Sequence, residues 1–258
     1  MKRFFEQSWL SFKGTNSIYS GEEFLLLQIG QPLLTLIFYV LLASYSINPT
    51  DLTRWVIGNS FLMCINTTIF SLGFSFNQER FYGRLRSIVV SPTNSLNVVL
   101  HKCFFPSLIS IVVVLIGIFV GQILFNINIS LSNLSFLILI IFISMLAASS
   151  FGIFISTFGL ISDSMHLILN IIGSGLIIIT GANFPTEQLP RFFQIISNFL
   201  PIKHGLNAAY ELLGGNINQS IILLIPEVGI ILLYSISTAI VFGIIEKLAR
   251  TKGLLEIY

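Results

Sequence analysis

Apolar runs of about twenty residues recur along this chain, and they leave few folds open to it. One of them reads SIVVVLIGIFVGQILF, Ser110 to Phe125, with no alternation of apolar and polar positions. A segment like that in a bilayer must satisfy its own backbone, which a helix does and an open strand does not. Porin-type strands would instead alternate over ten-residue pieces. Hydrophobic residues make up 54% of the 258, and charged residues only 9%. A soluble domain carries about 25% charged residues, so so few charges cannot coat a globule of this size. The expected fold is an all-α integral membrane protein of one domain, 1–258, with spans near 24–44, 55–77, 103–125, 134–158, 166–184 and 221–245.

Lysine and arginine then orient it. Six spans place both termini and the loops at 78–102 and 159–165 on one side. That side holds Lys2, Arg3, Lys13, Arg80, Arg84, Arg86, Lys102, Lys247, Arg250 and Lys252, against Arg54, Arg191 and Lys203 on the other. The positive-inside rule makes the first side cytoplasmic.

The first twenty residues lack the apolar core and small-residue cleavage site of a signal peptide. Phe5, Trp9 and Phe12 share one helical face, with Lys2, Arg3, Glu6 and Lys13 elsewhere. This predicts a helix lying in the interface, either as an anchor or as a docking element. Cys64 and Cys103 have no metal-binding spacing, and His101, His166 and His204 lie in separate segments, so no metal site is expected. Gly117 and Gly121 form a GxxxG pattern at which the third span is expected to pack closely on a neighbour.

Span interiors read as free of Asp, Glu, Lys and Arg, with Glu227 and His166 placed at margins. That counts against ion-coupled carriage, which needs a titratable group in the membrane. No catalytic constellation is visible, and the absence of GxxxxGK[ST] excludes a P-loop. The chain is expected to be no enzyme and to hold no cofactor; an ATP-independent carrier, channel or immunity protein stays open as a reading.

Two segments break the apolar pattern. In NQERFYGRLRSIVVSP, Asn77 to Pro92, Leu85, Ile88 and Val89 fall at i, i+3, i+4, and Pro92 closes the helix. It reads as a short amphipathic helix between spans two and three, or as an ordinary basic loop. GANFPTEQLPRFFQIISNFLPIKHGLNAAYELLGG, Gly181 to Gly215, holds two stretches too short to span, Pro190 to Phe199 and Ile202 to Leu213. Both read as helices dipping back into the membrane before the last span.

The first segment resembles the coupling region of ABC-2 type transporter permeases, E-R-E-x-G-T-[LI]-E-x-[LI]-x-[VT]-[ST]-P. Glu79, Arg80, Gly83, Leu85, Ser91 and Pro92 match it, and Phe81, Arg84 and Arg86 depart from it. The second resembles that family's roof over the transport path, through Phe184, Pro185, Leu189, Pro190, Pro201 and Gly215. The resemblance implies a bacterial plasma-membrane permease with cytoplasmic termini, paired with a second copy or a paralogue. A separate ABC ATPase subunit would bind the ATP and receive the coupling helix, and the implied partners include lipid but no nucleic acid. The pattern is more similar to exporters of drugs, antibiotics and antimicrobial peptides than to exporters of lipid-linked polysaccharides, which form the alternative.

Overall fold

The structure, a computed structural model, describes residues 2–16, 20–47, 51–83, 95–127, 129, 131–159, 162 and 164–252. Every regular element among them is helical. Five helical stretches are long and apolar enough to cross a membrane: Gly21–Ser46, Thr53–Phe81, His101–Phe125, Asn133–Phe158 and Ile217–Ile244. A sixth apolar helix, Met165–Ile179, has 15 residues. At 1.5 Å per residue it rises about 22 Å, short of a ~30 Å hydrocarbon core. The expected span 166–184 therefore ends early, and the segment after it folds back at the same end of the bundle.

In chain order the elements are α1 (Lys2–Asn16), α2 (Gly21–Leu25), a π-helical turn (Leu26–Gly30) and α3 (Gln31–Ile47). Next come α4 (Thr53–Leu62), a second π-helical stretch (Ile65–Phe70), α5 (Ser71–Gly73) and α6 (Ser75–Phe81). Then follow α7 (Ser95–Phe125), α8 (Leu131–Phe158), α9 (Met165–Ile179), α10 (Arg191–Ser197), α11 (Lys203–Leu213) and α12 (Ile217–Lys252).

Local chemistry explains several of these boundaries. The first span opens on a capping box, in which Ser20 Oγ accepts the Glu23 N–H and the Glu23 carboxylate accepts the Ser20 N–H. Pro32 has no N–H, so the Gln28 carbonyl loses its partner four residues on. The helix widens there, and the Gln31 N–H reaches back to the Leu26 carbonyl across the π turn. In the second span Asn59 and Ser60 side chains donate to the carbonyls of Trp55 and Val56, and Thr67 donates to that of Met63. Such back-bonding competes with the main-chain ladder, and the second π stretch begins at Ile65.

The second span is the axis of the bundle, with 83% of its most apolar window buried against 17% for the first span. Its Ile57, Phe61 and Ile69 join Ile141 and Met145 of α8, Leu169 of α9 and Leu206 of α11 in the main core. Lipid offers no hydrophobic force between helices, so close packing must hold them. The GxxxG pattern supplies it: a Cβ at Gly117 would collide with Met63 and Ser60, and one at Gly121 with Val56. α1 and the later part of α12 lie at one end of the bundle. α1 packs on the start of α7 through Phe4, Phe5 and Trp9 against Phe104 and Phe105, and Phe242 of α12 meets Phe76 of α6 at the same level.

Val at Gly117 or Gly121 overfills this contact and is expected to cost about 1–3 kcal/mol. Thermal unfolding in detergent should show the loss, whereas Ala at Gly175, which faces open space inside α9, should hold or raise the midpoint.

Candidate functional site

At the end of the bundle that carries α1, the second span finishes in α6 and then turns at Gly83, whose φ of +67° is a left-handed conformation suited to glycine. Glu79 receives Lys102 Nζ of α7 at 2.7 Å, with the side chains only 12% and 6% exposed. Lys102 was counted among the loop cations; it sits instead inside α7, tying the exit of span two to the start of span three. Phe81 stands 84% exposed beside Tyr82. Glu79, Arg80 and Gly83 thus meet at one rigid exit point. Leu85, Ser91 and Pro92, with Arg84 and Arg86, lie outside the described residues, and so does the expected amphipathic helix.

Next to this exit is a cavity of about 470 Å³ between the first span, the lower second span and the start of α9. Both π-helical stretches contribute to it, through Leu27 and Gln28 on one side and Asn66 and Phe70 on the other. π-Bulges recur at functional sites because they re-aim side chains. The polar lining is Gln28, Gln31, Asn66, Asn77, Gln78, Ser71 and His166, and the rings are Phe24, Phe70, Phe74, Phe81 and Tyr82. Among the described residues, no Asp, Glu, Lys or Arg lines it. His166 stacks on Phe74 at 4.1 Å, and Gln28 Oε1 is buried without a hydrogen-bond partner. A smaller space of about 80 Å³ shares Asn66 and runs on past Thr35, Tyr39 and Asn59. Asn59 Nδ2 in turn donates to Asn183 Oδ1 at 2.9 Å, in the segment after α9. Uncharged polar groups therefore mark the second span from its exit to the far end of the bundle.

That far end is closed by the re-entrant pair. Pro190 immediately precedes α10, and Pro201 is buried in the turn before α11. Gly215, at φ +86°, ends the pair; Pro185 and Leu189 flank the short 3₁₀ turn Thr186–Gln188, and Phe184 is exposed. Ile202, between the helices, has φ +79°, a costly conformation for a β-branched residue. Its N–H is held by Glu227 Oε1 at 2.7 Å, and the Gly205 N–H by Glu227 Oε2 at 3.2 Å.

The placement of Glu227 at a margin is thus corrected. It is ten residues into α12, 0% exposed, and its carboxylate caps α11 within the membrane-spanning bundle. A helix start buried in protein leaves unpaired N–H groups, and an anion there meets both the donors and the helix dipole. The carboxylate lies away from the cavity with both oxygens occupied, so its role is structural. Ser220 and Tyr234 stand seven residues to either side of it. Ser220 Oγ donates to the Ala208 carbonyl at 2.7 Å, and the Tyr234 hydroxyl to the Phe199 carbonyl at 2.9 Å. Lys203, counted as a cation of the far side, is 7% exposed and donates to Ser197 Oγ and Asn198 Oδ1 in the same turn.

The family model of ABC-2 type transporters matches residues 6–213, from the interfacial helix through the re-entrant pair. The chain belongs to that family. No curated protein matches it at a significant level. As an ABC-2 permease the chain is a multi-pass transport subunit rather than the catalytic one, of a kind that usually works with an ABC ATPase. Sequence reasoning set Glu79, Arg80 and Gly83 at the end of the second span and two short helices before the last span, which is where the structure has them. It missed Lys102 as the partner of Glu79, the cavity residues Gln28 and Asn66, and the Ser220–Glu227–Tyr234 row. The seven-residue spacing of that row was a readable signal, since it puts the three on one helical face.

Removing Glu79 takes away the carboxylate that holds the buried Lys102 ammonium. Glu79→Ala is expected to destabilise the permease by about 3–5 kcal/mol, and Lys102→Ala and the joint change to Leu at both positions by less. Thermal melts of the three variants give the comparison directly.

Proposed function

We propose that this permease exports an uncharged or weakly charged amphipathic compound, of the drug, antibiotic or peptide kind, using ATP hydrolysed by a separate subunit. The observation that supports the cargo class most is the cavity at the exit of span two. Its volume of about 470 Å³ falls in the range of drug-sized sites, roughly 300–1,000 Å³. Five rings offer apolar faces, and five carboxamides offer paired donors and acceptors for amide or hydroxyl groups. A lipid-linked polysaccharide carrying a phosphate would bring anionic charge into a lining with no Lys or Arg among the described residues, which leaves it desolvated against carboxamides and rings. The lining supports the first reading over that second one.

The termini end is the cytoplasmic end in this reading, as the ten-to-three division of Lys and Arg requires. The rigid exit formed by Glu79, Lys102 and Gly83 transmits movement of the ATPase from the 84–92 segment into the second span. That span forms one wall of the cavity and meets the re-entrant pair at its other end, so one helix touches both ends of the route. A second copy or a paralogue supplies the opposite wall. The two arrangements of these walls must differ in affinity for cargo, since only a differential interaction shifts the equilibrium.

Purification of the tagged permease from its own membranes in mild detergent should bring down a stoichiometric protein with a P-loop. ATP hydrolysis by that complex should rise severalfold with a neutral acylated peptide amide and not with an undecaprenyl diphosphate lipid. Asn66→Leu or Gln31→Leu should raise the half-maximal peptide concentration about tenfold, the equivalent of one or two lost hydrogen bonds. A chain that arrives alone, or a complex stimulated by the diphosphate lipid instead, would overturn the reading.

A further inference from the structure

The re-entrant pair and the Ala182–Asn183 segment that leads into it are fastened unequally to α12 and to α4. Toward α12 the fastening is a row of three side chains, Ser220, Glu227 and Tyr234, each seven residues from the next. At 1.5 Å per residue the row covers about 21 Å of the helix, well over half of a ~30 Å hydrocarbon core. Every bond in it runs from an α12 side chain to the main chain of the pair: Ala208 at the top, Ile202 and Gly205 in the middle, Phe199 at the bottom. The middle rung holds the strained Ile202 and the unpaired start of α11. It is also the rung with the least room for change, because a Cβ at Gly205 would run into Ser144 of α8. α11 is thereby wedged between α8 and α12.

Toward α4 the fastening is thinner. The Tyr210 hydroxyl donates to the Arg54 carbonyl at 3.2 Å in an exposed position, with the Arg54 guanidinium 4.9 Å from the Tyr210 ring centre. Asn59 donates to Asn183, whose own Nδ2 is left buried without a partner. At the third point Gly58 lies against the Ala182 backbone, a contact that requires no side chain on one side. Parting this seam breaks two hydrogen bonds between uncharged groups. Parting the other would unpair a buried carboxylate and two main-chain N–H groups inside the membrane, which is far more costly.

We infer that the re-entrant pair moves as one body with the last span, with Glu227 as the positioning residue that holds it there, and that the bundle opens along the seam between α4 and the Ala182–Tyr210 face. That cargo leaves through this seam rests on the permease reading. The division into a fixed side and an opening side belongs to the chain itself and is measured without any ATPase.

Ala182 and Ala208 make the comparison clean, because they are 1% and 0% exposed, Ala182 in the segment that lies against Gly58 of α4 and Ala208 beside Ser220 of α12. Each is changed to Cys in a chain whose Cys64 and Cys103 are replaced by Ala. The chain is placed in nanodiscs, and its labelling rate with a charged, membrane-impermeant maleimide is followed by mass spectrometry. The Ala182→Cys thiol is expected to label at least tenfold faster than the Ala208→Cys thiol. Adding Glu227→Ala should raise the Ala208→Cys rate at least tenfold. Should that variant fail to fold, Tyr234→Phe, which removes one hydroxyl, should raise the rate about threefold, and Tyr210→Phe should leave it unchanged. Equal rates at the two positions, or faster labelling at Ala208→Cys in the otherwise unaltered chain, would overturn the inference. So would an Ala208→Cys rate indifferent to both α12 changes. Because no ATPase takes part, a permease that purifies without one defeats the export reading and leaves this result to be judged separately.

Discussion

A helix that begins inside a membrane-spanning bundle leaves main-chain N–H groups with no water to accept them, and the Glu227 carboxylate answers that constraint here. α11 cannot start where it does unless an acceptor is brought to it, and the last span carries one at the required depth. Much of the far half of the bundle depends on this contact. Because the turn at 198–202 is held deep, α10 can descend and α11 can return within a single leaflet's depth. The short α9 can then end early without leaving a gap in the packing. Lys203, pinned to the end of α10, fixes the other side of the same turn.

The second span is built for a different purpose. It is the most buried of the long helices, yet it is interrupted by a π stretch and studded with Asn59, Ser60, Asn66, Thr67 and Thr68. Buried polar side chains weaken a span as a plain anchor, and here Asn59 and Asn66 face two neighbouring cavities and Asn59 also bonds across to Asn183 in the segment after α9. Small residues on α7 let this irregular helix lie close to its neighbour without a matching set of polar partners. At its lower end the buried Glu79–Lys102 pair stops the helix from fraying before Gly83 turns the chain. The span is therefore stiff at its exit and adaptable at mid-depth, which is what a helix needs if it is to pass a displacement from one face of the membrane to a site within it.

Much of this was legible from residue order, but unevenly. The re-entrant helices were placed at 190–199 and 202–213 and are found at Arg191–Ser197 and Lys203–Leu213, because Pro190 and Pro201 punctuate the chain whatever surrounds them. The interfacial helix and the GxxxG contact were likewise readable, since each rests on a periodicity within one helix. Glu227 was misread because position along an apolar run does not tell how deep a neighbouring segment dips. Lys102 was read as a loop charge for a related reason. The exit of span two extends four residues past its expected end, and only that extension brings Glu79 within reach of it.

The sequence by itself determined the solvent, the helical class, the number of apolar segments and the break before the last of them. These follow from transfer energies and from the backbone chemistry of proline and glycine, which act on each segment alone. Only the tertiary structure decided which polar residues are structural and which line a space. Glu227 and Asn66 both lie in apolar helices and look equally out of place in the sequence. One is consumed by the main chain of α11; the other faces a cavity between two spans. What separates them is the partner each meets, and a partner nearly forty residues or more away in the chain, or just across a re-entrant turn, is chosen by packing and not by local pattern.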